Sequence, residues 1–480
     1  FQETGNFIIW QSDSLGYTPS GGADVTDSNS TLSKYRGTRF SIDPYVKYID
    51  KYNNKHSLKT RYFYTDNINV FNPAQSNQGG VSFGDYQFQR LTRFGTSLTT
   101  GLTAIHTTVT SNLFGNHYSF NGAVYLQLEQ KLYEKLDLTG GVRLEYFEQD
   151  RKTGDSDFYF GKDSTKLPVY PILRGGLHYE VFKYTHLRVS YGQGIRYPSV
   201  AERYTQTNVG ALNVFPNANL KPEKGWAGEI GVKQVVKIGK NWKGIIDVAG
   251  FINEYQNMME FQVGFFNPIT NKRLDFNNPE DVAEYQSVVA QGYGLEDMIG
   301  FAAENSENAK ITGFEFSFNS TGKIGNVELT SLMGYTYTKP ITLNSDPEYV
   351  TTYSTYDDKL KTYDNTLKYR FNHLIKADIE ATWKSISLGF SARYNSNMVN
   401  IDRIFEDAIA GSTYILPGLK EYRQEYNKGA LVFDARIGYT IKEHYRIGFM
   451  VNNLLNEEYT TRPGDIQAPR TYMLQLTAKF

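Results

Sequence analysis

The chain ends in the stretch Arg470–Phe480, R-T-Y-M-L-Q-L-T-A-K-F, and this stretch decides the fold. One set of alternate positions is apolar: Tyr472, Leu474, Leu476, Ala478 and Phe480. The intervening positions are mostly polar. Side chains alternate between the two faces of a strand, so the pattern predicts a β-strand with one apolar face. A strand that ends the chain on Phe is typical of the closing strand of an outer-membrane barrel, and an edge strand of a soluble sandwich is the alternative at this point.

The composition excludes several classes of protein. The 480 residues carry a formal net charge of −1, whereas a nucleic-acid-binding protein shows a strong basic excess. No run of about eighteen apolar residues is present, as a transmembrane helix would require. A membrane barrel escapes that requirement because only every second residue of a strand faces lipid. The 37 Tyr and 30 Phe suit the aromatic girdles of such a barrel.

The residues that carry most enzyme chemistry are missing or scattered. Cysteine is absent, so disulfides and thiolate metal sites are excluded. The seven histidines show no metal-ligand spacing, and no glycine-rich loop followed by Lys is present to hold phosphates. The sequence therefore predicts a protein that is not an enzyme and has neither a cofactor nor a metal site.

Alternation like that of the last strand recurs about eighteen times along the chain. Between residues 186 and 191, for example, Leu187, Val189 and Tyr191 alternate with His186, Arg188 and Ser190. A dry protein core would not accept such charges unpaired. This conflict disappears if one face of each strand contacts lipid and the other faces a water-filled lumen. The residues expected to face the lumen are Glu229, Lys233, Glu315, Arg393 and Arg436.

The connections between the predicted strands alternate in length, as they do in transmembrane barrels, which have short periplasmic turns and long extracellular loops. Short turns are predicted near Tyr52–Asn54, Thr92–Gly95, Tyr133–Lys135, Lys183–Thr185, Gly239–Asn241, Lys323–Asn326, Trp383–Ser385 and Lys442–His444. Long loops are predicted near Ser12–Tyr35, Thr65–Gly80, Thr110–His117, Gln149–Lys166, Tyr197–Lys224, Asn257–Asn308, Lys339–Asn372, Asn397–Lys428 and Asn456–Ala468.

The longest predicted loop contains a helix signal. Asn278 is suited to cap a helix whose first residue is Pro279, and the helix is expected to run from Glu280 to Gln291. Loops of this length are lids, partner contacts or disordered segments. These three interpretations remain open for the sequence.

Several motifs occur in a fixed order along the second half of the chain. Gly194–Tyr204 reads G-I-R-Y-P-S-V-A-E-R-Y, and Asn217–Lys224 reads N-A-N-L-K-P-E-K. Three further motifs follow: Ile311–Glu315 (I-T-G-F-E), Asn452–Tyr459 (N-N-L-L-N-E-E-Y) and Pro469–Tyr472 (P-R-T-Y). In this order they resemble the barrel of TonB-dependent outer-membrane receptors, in a style similar to receptors of the Bacteroidetes.

The resemblance implies an all-β, transmembrane antiparallel barrel of twenty-two strands whose lumen is closed by an N-terminal plug domain. The present sequence contains neither a plug domain nor its preceding TonB-binding segment, and it contains about eighteen strands rather than twenty-two. Residues 1–480 are therefore expected to be a partial barrel that lacks the plug and about the first four strands. An eighteen-stranded porin-like pore is the alternative.

The function implied by the resemblance is active import of a scarce nutrient across the outer membrane of a Gram-negative cell. A ferric siderophore is the leading substrate and cobalamin the next. Haem is disfavoured, because haem receptors of the family carry a His between the first two motifs and none lies between Pro198 and Asn217. The residues expected to contact the ligand are Arg196, Tyr197, Arg203, Tyr204, Phe265, Phe266, Tyr353 and Tyr356.

The implied partners are the TonB–ExbB–ExbD energising complex, outer-membrane lipid and the barrel assembly machinery. A surface lipoprotein or a larger outer-membrane assembly, in which the barrel has a structural role, is a further alternative. No nucleic acid is expected.

The terminal aromatic residue is predicted to be the signal that the assembly machinery recognises. Replacing Phe480 by Asp, or deleting it, should lower the amount of barrel in the outer membrane several-fold. Protein that does insert should keep its ligand affinity. Immunoblots of outer-membrane fractions measure the first effect, and unchanged levels of the Phe480→Asp variant would contradict the assignment.

Overall fold

The computed structural model describes residues 2–7, 10–13, 16–19, 33–70, 73–150, 164–209, 212–343, 365–407, 418–442, 444–462 and 465–479. These residues form one 22-stranded sheet and a separate two-stranded hairpin. Four short α-helices lie in the connections between strands. No helix among the described residues is both long and apolar enough to cross a membrane.

The strands are β1 (Gln2–Phe7), β2 (Trp10–Asp13), β3 (Gly16–Pro19), β4 (Ser33–Ile42), β5 (Tyr45–Ile49), β6 (Lys55–Asn69), β7 (Asn77–Leu91), β8 (Thr96–Ser111), β9 (Gly115–Leu132), β10 (Leu136–Asp150), β11 (Ser164–Phe182), β12 (Thr185–Arg196), β13 (Thr207–Val209), β14 (Leu212–Phe215), β15 (Glu223–Ile238), β16 (Trp242–Phe266), β17 (Arg273–Leu274), β18 (Ile299–Ile324), β19 (Val327–Thr342), β20 (His373–Trp383), β21 (Ile386–Asn395), β22 (Ala430–Ile441), β23 (Tyr445–Asn452) and β24 (Thr471–Ala478). The helices are α1 (Val200–Tyr204), α2 (Pro279–Ala290), α3 (Leu295–Met298) and α4 (Leu419–Glu425), with 3-10 turns at Pro73–Gln75 and Arg403–Phe405.

Most strands pair with their neighbours in sequence, as an antiparallel meander. Four of the 22 strands are accessory: β5 continues β4 along β6, β13 and β14 form a side hairpin, and β17 pairs only with β16. The remaining eighteen strands confirm the predicted all-β sheet and its strand number. Within the described part of the chain, β24 pairs with β23 and β1 with β4, so closure of the barrel stays a prediction.

The break between β4 and β5 has a local cause. Pro44 has no N–H to donate to the ladder, and its carbonyl instead accepts the N–H of Thr60 at 3.0 Å. Residues 43 and 44 therefore interrupt the strand, while both halves stay paired with β6.

The short turns are confirmed at all eight predicted places. Several are closed by residues with left-handed backbone conformation, among them Asn53, Glu134, Tyr184, Lys384 and Lys442, with φ between 48° and 71°. Tight antiparallel turns need positive φ because that twist matches the twist of the strands. The turns lie at one end of the sheet, and the longer connections lie at the other.

Two predicted long loops are shorter than expected. The strands β8 and β9 extend to Ser111 and from Gly115, so only residues 112–114 connect them. The proposed loop Asn257–Asn308 is strand at both ends, because β16 continues to Phe266 and β18 starts at Ile299. Hydrophobic alternation is lost in this region, and a bulge at Asn257 (φ 55°) shifts the register, which explains why the strands are not recognised from sequence.

The two faces of the sheet differ as the alternation predicts. One face carries exposed apolar side chains, including Leu126, Ile230, Phe314, Leu388 and Ile437. The other face carries the charges that cross-link neighbouring strands. Glu229, Lys233, Glu315, Arg393 and Arg436 all lie on this second face, which we call the polar face. The described part of the last strand follows the same rule, with Tyr472, Leu474 and Leu476 exposed, while Phe480 lies outside the described residues.

Arginines on the polar face reach their partners across a glycine. Arg436 on β22 lies opposite Gly389 on β21, and its Nη1 binds Asp378 Oδ2 on β20 at 2.6 Å. Its Nε also binds Glu380 at 3.0 Å. A Cβ at Gly389 would lie 2.7 Å from Cγ of Arg436 and closer still to its guanidinium. Glycine is therefore required there because the arginine passes directly over the backbone.

The same arrangement occurs elsewhere in the sheet. Arg188 on β12 lies over Gly231 on β15, and its Nη1 binds Asp247 of β16 at 2.6 Å. Its Nε binds Glu229 at 2.6 Å, and Lys233 lies 3.4 Å from Asp247. Each arginine thus ties together three adjacent strands.

Replacing Gly389 by Ala should displace Arg436 and destabilise the sheet by about 1–2 kcal/mol, the cost of losing a charge-assisted bidentate contact. The temperature at which the folded form disappears in semi-native electrophoresis measures this effect. Gly334→Ala on β19 is the matched control, because a Cβ there meets nothing within 4 Å. An equal effect of both substitutions would disprove the role given to Gly389.

Candidate functional site

The longer connections form a rim at one end of the sheet, and its first segment is the motif that begins at Gly194. Ser199 caps α1: its side chain accepts the N–H of Glu202, whose carboxylate in turn accepts the N–H of Ser199 at 2.8 Å. Arg196 binds Glu202 at 2.7 Å and Glu223 at 2.9 Å. The motif therefore joins the end of β12, the helix and the start of β15 in one ion-paired unit.

The two aromatic residues of this segment pack inward. Tyr197 stacks on Phe147 with ring centroids 4.2 Å apart, and burial raises the pKa of Tyr197 to about 12. Tyr204 stacks on His117 at 3.9 Å and donates its hydroxyl to the carbonyl of Asp150 at 2.7 Å. These contacts fasten α1 to the ends of β9 and β10.

The second motif fastens the same segment to the long β16–β18 hairpin. Arg203 is fully buried and donates to the carbonyl of Leu220 at 2.8 Å. Leu220 packs against Met259 and Ala303. Asn217 donates from its amide to the carbonyl of Ala303 at 2.9 Å. The Asn and Leu positions of the motif are thus explained by docking onto the hairpin.

The tip of the β16–β18 hairpin carries α2, which confirms the predicted helix. Asn278 caps it by accepting the N–H of Glu280 at 3.0 Å, and Pro279 is its first residue. Phe266 is fully buried against Phe215 at 4.7 Å. Phe265 is half-buried and meets Phe276 edge-on at 5.1 Å.

An ion pair holds α2 to the turn before it. Lys272 binds Asp281 at 2.5 Å and Glu284 at 3.1 Å. The hydrogen bond from Lys272 holds the pKa of Asp281 below its usual range. The connection at the tip of this hairpin therefore forms a compact cap.

Buried charges attach the connection between β19 and β20 to the one between β21 and β22. Lys368 binds Asp402 at 2.7 Å, with both side chains at most 3% exposed. The hydroxyl of Tyr369 donates to the same carboxylate at 2.6 Å, and burial together with Asp402 raises the pKa of Tyr369. Burial also raises the pKa of Glu260 on β16, which lies 3.8 Å from Arg370.

A second buried pair lies beside the first. Arg423 on α4 binds Glu406 at 2.5 Å and the carbonyl of Met398 at 2.5 Å. Burial raises the pKa of Glu406, whereas the exposed Lys420 donates to Asp407, a contact that favours the ionised form of Asp407. Since a buried charge without its partner is costly, these pairs fix the described parts of the two loops relative to each other.

A small cleft opens beside α4. It is lined by aromatic and charged side chains, including Phe371, Tyr422, Arg423, Tyr426, Tyr459 and Arg462. Tyr422 and Tyr426 stack with centroids 4.6 Å apart. The free space of about 60 Å³ holds a few water molecules or one ring of a ligand. Burial, followed by the nearby Glu458, raises the pKa of Tyr426, so its hydroxyl stays protonated and able to donate.

None of the cleft residues was predicted from the sequence. The available signal is the run of aromatic and basic residues in Leu419–Arg423, which lies in a predicted loop without a recognisable helix start. Its N-cap is Gly418 with φ 83°, which lacks a capping side chain. The cleft also requires residues 371, 398 and 459 from three separate connections, and sequence does not bring these together.

The predicted ligand contacts therefore occupy different environments. Arg196 is exposed and Tyr197 and Phe265 are half-buried, whereas Arg203, Tyr204 and Phe266 lie inside the packed rim. Tyr353 and Tyr356 lie outside the described residues. Direct ligand contact by any of them stays a prediction. Among the described residues, no three His, Asp or Glu side chains are placed to hold a metal ion.

Comparison with known proteins agrees with this architecture. Residues 2–454 match the family model "TonB dependent receptor-like, beta-barrel". No sequence among the curated proteins matches the chain.

Solved structures with the same fold include three receptors. The siderophore receptor PirA from Pseudomonas aeruginosa has a TM-score of 0.60 at 11% identity over 94% of this chain and 64% of its own. The ferric-catecholate import receptor Fiu from E. coli K12 has a TM-score of 0.58 at 15% identity over 94% and 64%. The FrpB iron transporter from Neisseria meningitidis has a TM-score of 0.63 at 13% identity over 100% and 69%.

At these identities the likeness shows the fold alone. The chain spans about two thirds of the length of these proteins. The match of the family model covers nearly the whole chain and agrees with the motif order, the alternation of turns and loops, and the polar and apolar faces of the sheet. The chain belongs to the TonB-dependent receptor-like β-barrel family of Gram-negative outer-membrane proteins.

Proposed function

We propose that the chain is the membrane barrel of an energised receptor that imports a ferric siderophore. The family is one of transport receptors rather than enzymes. The observation that carries the proposal is the rim, in which the buried pairs Lys368–Asp402 and Arg423–Glu406 hold the described parts of the loops in place.

A fixed rim suits capture of a scarce ligand. Tight binding requires that loops lose little conformational freedom when the ligand arrives, and loops that are already ordered meet this requirement. A passive pore selects solutes by the width of its channel and gains nothing from buried ion pairs in its outer loops. The rim therefore favours a specific receptor over a porin-like channel.

The cleft beside α4 is our preferred contact for the ligand. Its tyrosines offer an aromatic face and a hydroxyl donor, while Arg462 offers a positive charge. A ferric siderophore presents planar rings or anionic oxygens around its metal, which suits these groups. Arg196 and Tyr197 remain further candidates on the opposite part of the rim, and the buried Arg203, Tyr204 and Phe266 are assigned to positioning the loops.

The partners follow from the same proposal. Import against a gradient requires energy, so we expect a plug domain in the lumen and the TonB–ExbB–ExbD complex to act with this barrel. The ion-paired polar face would then line a hydrated path. Outer-membrane lipid contacts the apolar face, and the barrel assembly machinery inserts the chain.

Uptake of a ⁵⁵Fe-labelled catecholate siderophore by iron-starved cells tests the transport proposal. Uptake should fall to background when the gene is deleted and when an uncoupler collapses the proton-motive force. Uptake that survives the uncoupler would indicate a passive pore. A normal rate of siderophore uptake after deletion would instead indicate a structural role in a larger assembly. Uptake of labelled cobalamin but not of the siderophore would show that cobalamin is the substrate.

The cleft is tested by Tyr426→Ala. Loss of the ring and its hydroxyl should raise the Kd for the ferric siderophore about tenfold, the equivalent of about 1.4 kcal/mol. Tyr439→Ala is the matched control, since Tyr439 is similarly exposed but lies on the apolar face of β22. Titration of both purified variants decides the matter, and unchanged affinity in Tyr426→Ala would remove the cleft from the binding site.

A further inference from the structure

A group of lysines gathers on the polar face at the short-turn end of the sheet. Lys237 near the end of β15 lies directly opposite Lys243 near the start of β16. Lys240 lies in the turn between them, and Lys323 lies close to the turn that ends β18. These side chains line a recess of about 530 Å³, together with Thr321 and Glu328. We call it the lysine recess.

The pairing of Lys237 with Lys243 is electrostatically unfavourable unless another group neutralises their charges. Like charges directly opposite each other on neighbouring strands destabilise a sheet. At another position on the same two strands the lysine is compensated: Lys233, four residues before Lys237, lies opposite Asp247 and pairs with it at 3.4 Å. Within the described part of the chain, Lys237, Lys240 and Lys243 have no carboxylate partner, whereas Lys323 binds Glu328 at 2.5 Å.

The position of the recess determines what can reach it. By alternation, Lys237 and Lys243 lie on the same face as Glu229 and Asp247, and the opposite face carries the exposed Ile230, Val232 and Ile238. Because lipid covers the apolar face, the lipid headgroups lie on the side of the strands that is opposite to the lysines. The short turns of outer-membrane barrels face the periplasm. The recess therefore opens into the periplasmic mouth of the lumen.

The spacing of the lysines favours an elongated ligand. They extend across three neighbouring strands, each about 4.8 Å from the next, so a single small anion contacts only part of the set. An extended polypeptide covers the roughly 10 Å between the outer two strands with about three residues, so the carboxylates of one segment can reach lysines on all three strands. Lysine ammonium groups bind carboxylates as point charges without demanding a planar geometry.

We propose that the lysine recess is a docking site for an acidic polypeptide segment that lies in the periplasmic mouth of the barrel. The carboxylates of that segment neutralise the Lys237–Lys243 pair. The proposal depends on the polarity of the sheet and not on which substrate is transported.

The test is titration of the full 480-residue chain in detergent micelles with a hexaglutamate peptide, followed by calorimetry at low and high salt. Saturable binding is expected at low salt and should weaken at least about fivefold in 0.5 M NaCl, where charges are screened within about 4 Å. The double variant Lys237→Gln/Lys243→Gln should lose at least about fivefold in affinity. Lys237→Arg/Lys243→Arg should retain binding, because the charges remain.

The matched control is Lys183→Gln/Lys384→Gln. These lysines lie in two other short turns at the same end, where each rests over an aromatic ring, 5.2 Å from the ring centre of Tyr184 and 4.8 Å from that of Trp383. Their removal should leave the affinity for hexaglutamate unchanged. An equal loss in control and test variants would show attraction by overall charge and would overturn the assignment of a site.

Two further readouts separate a binding role from a structural one. Relief of like-charge repulsion should leave the unfolding temperature of Lys237→Gln/Lys243→Gln unchanged or higher, so a binding defect cannot be attributed to misfolding. Lys240→Gln, which lies outside the strand ladder, should weaken binding by a smaller amount and serves if the double variant does not fold. Absence of saturable hexaglutamate binding, or equal binding of citrate or pyrophosphate, would overturn the proposal in favour of no site or a small-anion site.

Discussion

The charges on the polar face of the sheet need partners on neighbouring strands, and the rest of the structure depends on this constraint. An antiparallel ladder sends every second side chain to the polar face, where Arg188 and Arg436 lie. Each of them reaches a carboxylate two strands away, Asp247 or Asp378, so a residue without a side chain must lie between. Gly231 and Gly389 fill that place. The register and the strand order therefore depend on the positions of these glycines. A shift of one residue between neighbouring strands would separate every one of these ion pairs.

The sequence predicts the regular part of the molecule well, because the period of two and the short turns are local signals. The turns at Glu134, Tyr184 and Lys384 are recognised by the ends of the hydrophobic alternation, although none of these residue types favours a left-handed conformation. The prediction fails where the pattern has a different cause. Strands β16 and β18 rise beyond the region that meets lipid and lose their alternation there, so the sequence predicts a loop in their place.

The rim could be predicted only in part. The Ser199–Glu202 capping box and the Asn278 cap depend on residues close together in the sequence, so they can be predicted from it. The pairing of Lys368 with Asp402 joins residues 34 positions apart in irregular connections, and no periodicity marks it. The same holds for the cleft at Tyr426. Two of the aromatic residues predicted to contact the ligand, Tyr204 and Phe266, lie buried in the packed rim, and this burial depends on contacts between separate connections that the sequence does not mark.

The height of the β16–β18 hairpin has a consequence for the order in which the outer surface forms. At about 3.3 Å per residue, its 25- and 26-residue strands extend roughly 80 Å, more than twice the thickness of the hydrocarbon layer. Leu220 and Lys368, from connections far apart in sequence, both settle against this one hairpin. Closing such long loops is favourable only once their common support exists. The connections of the rim can therefore pack only after this hairpin has formed. Slow pairing of its upper half would delay folding of the whole rim even in a barrel already inserted in the membrane.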